Sequence, residues 1–248
     1  MKLSYLKYFF TYETDIADGI GFEMFHLEHF LWLFICVLVT GLVLHYYSRA
    51  DDSGKEWTER IVAYSMPVWM LIRVVYILII HEDMVYELPF HLCSISGLLC
   101  ALHCMTRWKW VEQVLYVLGL PGALLAMVFP NWTYYPAIHF ITIESFLFHL
   151  GIVVYVLIML YSNQIVPKVK NMWQVIIFLA VTVSPVYAFD KHFHTNYMFV
   201  NWPSAGSPLE LIYRLTGEGG YLFGFAVLVL FFILLMYTGY WIIQKLFL

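Results

Sequence analysis

Seven stretches of mostly apolar residues, each close to the length that crosses a lipid bilayer, leave this chain few folds to choose from. A spanning helix needs about 20 such residues. The stretches are Phe22–Tyr47, Ile61–Ile80, Leu88–Met105, Val111–Phe129, Ala137–Tyr161, Gln174–Phe189 and Gly220–Tyr240. Polar linkers (SRADDSGKEW, HEDMVYE, TRWKW, PNWTYYP and SNQIVPKVKNMW) separate most of them, and residues 190–219 form the one long connection. Composition agrees: the chain is 62% hydrophobic and 12% charged, against about 45–50% and about 25% in soluble domains. The excess apolar surface must face lipid. The expected fold class is therefore all-α, a polytopic bundle of seven transmembrane helices in a single domain, residues 1–248, with 190–219 as an outward-facing connection and lid.

Local signals refine this picture. Pro89 and Pro136 stand where helices three and five should begin, at positions whose missing N–H costs nothing. Pro67, Pro121 and Pro185 fall inside spans and should kink them. Trp57, Trp108, Trp110, Trp132, Trp173, Trp202 and Trp241 lie at or just beyond span ends, as in an aromatic belt. Lys and Arg divide eight to four between the two sides, which predicts an outside N-terminus and a cytoplasmic C-terminus. Lys2 and Lys7 oppose that bias. No cleavable signal peptide is expected. The four cysteines all fall in apolar segments, which is no disulfide framework. A net charge of −4 argues against nucleic acid. The expected partners are membrane lipids, with a membrane-protein partner also open and the oligomeric state undetermined.

Ionisable residues inside a membrane are costly and default to a functional reading. Here they are His26, Glu28 and His29 on helix one, Arg73 on helix two, His91 and Cys93 on helix three, and His139, Glu144 and His149 on helix five. At about 1.5 Å per residue, Arg73, Cys93 and His149 all lie roughly 18–20 Å from the cytoplasmic helix ends. The plain readings are an interfacial His26, a structural ion pair between Arg73 and Glu144, and close helix packing along Cys93, Gly97, Cys100 and Cys104. Thr142, Ser145 and His149 share one helical face, with Glu144 rotated away from it.

A cysteine accepts an acyl group when a histidine takes its proton, and Cys93 with His149 supplies that pair if helices three and five are neighbours. Arg73, or the N–H groups opening helix three, would stabilise an oxyanion. Zinc held by His91, His149 and Glu144 is the competing chemistry. HExxH and CxxC are absent and helix seven has no histidine, so no metal and no cofactor is expected.

FEMFHLEHFLWL, LPFHLCSISG, SFLFHLG, TNYMFVNWPSAGSPLELI and YLFGFAVLVLFFILLMY together resemble the bacterial YwaF-like integral membrane proteins, which are similar to eukaryotic transmembrane protein 164. The resemblance runs over essentially the whole chain, and LPxHLC and NYMFxxxPxxGSPL are its specific parts. It implies an integral protein of a bacterial plasma membrane. Through the eukaryotic relative it implies phospholipid acyl transfer by a cysteine and a histidine, which match Cys93 and His149. Phe90 is the alternative occupant of the nucleophile position, and then the pair is lacking. Arg73, His91, Glu144, His29, Asn196 and Tyr197 are the expected supporting or substrate-binding residues. The function is thus read as lipid acyl transfer or lipid hydrolysis at an outward-facing polar cavity. The alternative is a non-catalytic transporter, channel or sensor, or a structural partner in a membrane assembly.

Overall fold

A computed structural model describes residues 3–247 of the chain; Lys2, one of the charges weighed for orientation, lies outside them. All seven expected helices are present: α1 Leu27–Arg49, α2 Asp52–Ile80, α3 Leu92–Thr106, α4 Lys109–Val128, α5 Phe140–Tyr161, α6 Met172–Phe193 and α7 Pro208–Phe247. Among the described residues six are long and apolar enough to cross a membrane, and α3 is shorter. Fifteen residues reach about 22 Å, short of a hydrocarbon core of about 30 Å.

The helix ends have local causes. Asp51 caps α2 by accepting the Gly54 N–H at 2.8 Å. His81 and Arg107 close α2 and α3 in the left-handed conformation. Pro89 and Pro136 are not first-turn residues, as the sequence suggested. They precede α3 and α5 by three or four residues, and His91 and His139 occupy the caps. The His139 Nδ1 accepts the Ile141 N–H at 3.0 Å, a bond proline cannot make. α4 contains a wide turn over Leu115–Gly119, just ahead of Pro121, whose missing N–H leaves one helix carbonyl unpaired. α7 begins at Pro208, twelve residues before the expected start, and breaks at Gly217, where φ is +67°. Such a φ suits glycine, and it separates a short first segment from the long apolar one.

α5 is the central helix and packs against α1, α2, α3 and α4. Its Phe146, Ile152, Tyr155, Val156 and Ile158 are fully enclosed. α3 comes close because Gly97 faces it: a Cβ there would stand 2.6 Å from Phe148 Cζ. α6 packs on α4, and α7 packs on the wide turn of α4. At one end of the bundle, Glu59 accepts hydrogen bonds from Tyr47 (2.7 Å), Gln164 (2.7 Å) and Arg107 (2.5 Å), which ties α1, α2, the α3–α4 turn and the α5–α6 loop together. The opposite end carries the N-terminal segment, the 130–139 loop and the long connection.

Candidate functional site

Between the α2–α3–α5 core and the pair α6–α7 lies a cavity of about 1570 Å³. One wall is polar, with Arg73 from α2, Cys93 from α3, and Glu144, Ser145 and His149 from α5. The α6 and α7 wall is apolar, with Leu179, Val183, Phe225, Val229 and Phe232. The connection after α6 completes it through residues 194–205.

The polar wall is organised around Arg73. Its Nε donates to Glu87 Oε2 at 2.8 Å, and its Nη1 donates to Glu144 Oε2 at 2.9 Å. Tyr12 donates to the other Glu87 oxygen at 3.2 Å, and Ser145 donates to Glu144 at 3.4 Å. Burial, reinforced by the Glu87 carboxylate, pushes the Tyr12 phenol above its ordinary range, so it stays a donor. One guanidinium thus faces two carboxylates, and the group has a formal excess of negative charge. Glu144 is not rotated away as the helical face had suggested. It lines the cavity, whereas Thr142 turns to the Pro136 carbonyl at 2.9 Å. The face was drawn from spacing alone, and the ion pair with Arg73 draws Glu144 inward.

His149 sits among these groups with a defined tautomer. Its Nδ1 is 2.6 Å from the Ser145 carbonyl, which carries no proton, so Nδ1 is the N–H and Nε2 keeps its lone pair. Trp132 stacks on its ring, with centroids 5.3 Å apart. Cys93 opens the first turn of α3 and lines the same cavity, and α3 and α5 are neighbours. No hydrogen bond joins Cys93 to His149 among the described residues. Phe90 is not a lining residue; it packs edge-on against Phe189 and Tyr197 at 5.1 and 5.3 Å.

The remaining expected residues divide. His91 lines the cavity and uses Nδ1 to accept the Met198 N–H at 3.3 Å, pinning the connection to α3. Tyr197 donates to the Val85 carbonyl and accepts from the Leu88 N–H, both at 2.8 Å, a second pin. Asn196 shapes the connection by accepting the Asn201 and Trp202 N–H groups at 3.1 Å. His29 does not reach the cavity. It is fully buried, accepting from the Phe25 N–H at 3.0 Å and donating to the Met127 carbonyl at 2.9 Å, a clasp between α1 and α4. His26 is an exposed cap beside Glu23. No group of three His, Cys, Asp or Glu side chains is disposed to hold a metal among the described residues.

Two site residues escaped the sequence reading. Glu87 looked like loop charge, although it directly precedes the LP that opens helix three. Trp132 looked like a belt residue but is 5% exposed, and its Nε1 has no hydrogen-bond partner among the described residues. By contrast Trp57, Trp108, Trp173, Trp202 and Trp241 are exposed, as a belt requires.

No match is found among curated proteins or among solved structures. A family model does match, over residues 24–237, from just ahead of α1 into α7. That stretch includes the arginine, both of its carboxylate partners, the cysteine and the histidine of the cavity wall. The chain belongs to the TMEM164 family.

Proposed function

We propose that this membrane protein transfers fatty acyl groups from phospholipids in its cavity, with Cys93 as nucleophile and His149 as base. The observation that carries the reading is the His149–Ser145 bond, which commits Nδ1 as donor and leaves Nε2 as a base in a cavity that also holds the only cysteine of its polar wall. Nε2 takes the Cys93 Sγ proton and the sulfur attacks the ester carbonyl. The C–O bond to the glycerol backbone breaks, and His149 returns the proton to the leaving hydroxyl. The thioester then passes its acyl group to a lysolipid hydroxyl, or to water in the hydrolytic variant. The first-turn N–H groups of α3 lack intrahelical partners and suit the oxyanion. The Cys93–His149 hydrogen bond forms as substrate binds, as catalytic hydrogen bonds often do. The apolar α6–α7 wall takes the acyl chain. Arg73 acts by holding Glu87 and Glu144 in place, since both carboxylates already occupy it. In this reading the cavity opens outward from a bacterial plasma membrane, and the connection over it acts as a lid.

The test is intact-protein mass spectrometry after incubation with phospholipid vesicles, with the vesicle lipids analysed in parallel. An acyl-sized adduct on the wild type, lost in Cys93→Ala, and lipid remodelling lost in His149→Ala are expected. Unchanged protein mass together with unchanged lipids would overturn the proposal in favour of a transporter, channel or sensor.

A further inference from the structure

At the last turn of α6, Asp190 is fully enclosed. Its Oδ1 accepts the Thr195 hydroxyl at 2.5 Å, but its Oδ2 has no hydrogen-bond partner among the described residues. A buried carboxylate without full compensation is expensive. Its position makes matters worse, because the C-terminal end of a helix carries partial negative charge. The adjacent Lys191 does not help: its Nζ lies over the Tyr187 ring at 5.2 Å.

A second orphan oxygen belongs to the same cluster. Asn201 Nδ2 donates to the Thr195 carbonyl at 2.7 Å, which fixes the amide orientation. Asn201 Oδ1 is then left buried and without a partner among the described residues. Thr195, itself 3% exposed, thus bonds both residues, and each presents an acceptor that nothing among the described residues answers. Both oxygens are acceptors, so what answers them must be a cation or a donor, and the Lys191 ammonium is turned to the Tyr187 ring.

We propose that Asp190 Oδ2 and Asn201 Oδ1 are ligands of a hard monovalent cation of the sodium class. Oxygen-only ligation selects a hard ion. A single carboxylate matches a single positive charge, whereas calcium sites gain affinity with the number of charged ligands. Helix C-termini and neighbouring irregular backbone supply further carbonyl ligands in membrane sodium sites. The site stands where α6 gives way to His194, Thr195 and Asn196, which line the cavity. A bound cation would therefore stiffen the cavity wall whatever reaction the cavity hosts.

The test is thermal unfolding of the purified full chain in detergent, followed by tryptophan fluorescence, in sodium, potassium or choline chloride at matched ionic strength, and with added calcium. The wild type should show a saturable rise in midpoint with sodium over choline. Asp190→Asn should remove that rise, Asn201→Ala should shift it to higher sodium, and calcium should not substitute for sodium in the wild type. Equal midpoints in sodium and choline for the wild type would overturn the proposal. So would a sodium response that survives Asp190→Asn. If Asp190→Asn does not fold, Asn201→Ala decides: a sodium response identical to the wild type's in that variant overturns the assignment.

Discussion

The indole of Trp132 lies nearly parallel to the imidazole of His149, with ring centroids 5.3 Å apart and planes inclined by 20°. The contact limits rotation of a histidine whose Nδ1 is already tied to Ser145. It also prepares for charge. In the proposed reaction His149 takes a proton, and its imidazolium would then rest over an indole face, an attraction of about 0.5–2 kcal/mol. Trp132→Leu should therefore slow acyl transfer by roughly tenfold, while Trp132→Phe, which keeps an aromatic face, should retain most of the rate. Acyl-transfer kinetics on both variants, with thermal midpoints as a check on folding, decide the matter. Equal rates for Leu and Phe would reduce the stack to packing.

Arg73 holds two carboxylates that come from different parts of the chain, Glu87 ahead of α3 and Glu144 within α5. Removing the cation leaves both without their partner in a largely buried site, and breaking such a group costs about 3–5 kcal/mol. Arg73→Gln should lower the thermal midpoint sharply. Adding Glu87→Gln and Glu144→Gln should recover much of it, because the uncompensated charge is then gone. A single Arg73→Gln variant that melts like the wild type would show that the arginine contributes little to the bundle.

The fold was legible because lipid solvation is written in composition: all seven helices could be placed from apolar length alone, although α3 is shorter than a full span. The ends were harder, since they depend on single side chains. His91 and His139 took cap positions that Pro89 and Pro136 marked by sequence, and α7 began with a short segment, 208–216, ahead of its break at Gly217. In the site, Cys93, His149, Arg73 and Glu144 were legible as costly residues at depth. His29 belonged to the same class but is a satisfied clasp, and nothing in its spacing distinguishes the two cases. Trp132 was hidden because a tryptophan at a span end serves equally as a belt anchor or a buried stack. Only the fold of the 130–139 loop separates them.

Gly97 lets α3 approach the central helix, and the small-residue stripe of α3 has a checkable consequence there. A Cβ at this position would stand 2.6 Å from Phe148 Cζ and 3.3 Å from Met66 Cβ. Phe148 is 4% exposed, so its ring has little room to retreat. Overpacking of this kind costs typically 1–3 kcal/mol. Gly97→Ala should lower the midpoint of thermal unfolding, and a companion Phe148→Leu should restore part of the loss. Additive destabilisation in the double variant would place the strain elsewhere.

Gly21 sets how the N-terminal segment reaches the cavity. A Cβ on it would lie 2.1 Å from the Thr133 carbonyl oxygen and 2.8 Å from the Tyr134 backbone, and no rotamer change moves those atoms. Beside it, the Phe22 N–H donates to the Tyr135 carbonyl at 3.2 Å, and the buried Phe22 ring lies near Phe146. The strand of contacts continues back to Tyr12, which donates to Glu87. Gly21→Ala should thus push the segment off the loop that carries Trp132 while leaving the seven helices intact. Cleavage by a glutamate-specific protease after Glu13 should quicken several-fold, and acyl transfer should fall because Trp132 and Glu87 lose their support. Helical circular dichroism should not change. Unchanged cleavage at Glu13 would mean that the segment is held by its other bonds, such as the Phe140 N–H to the Phe9 carbonyl at 3.0 Å, and that the loop tolerates the shift.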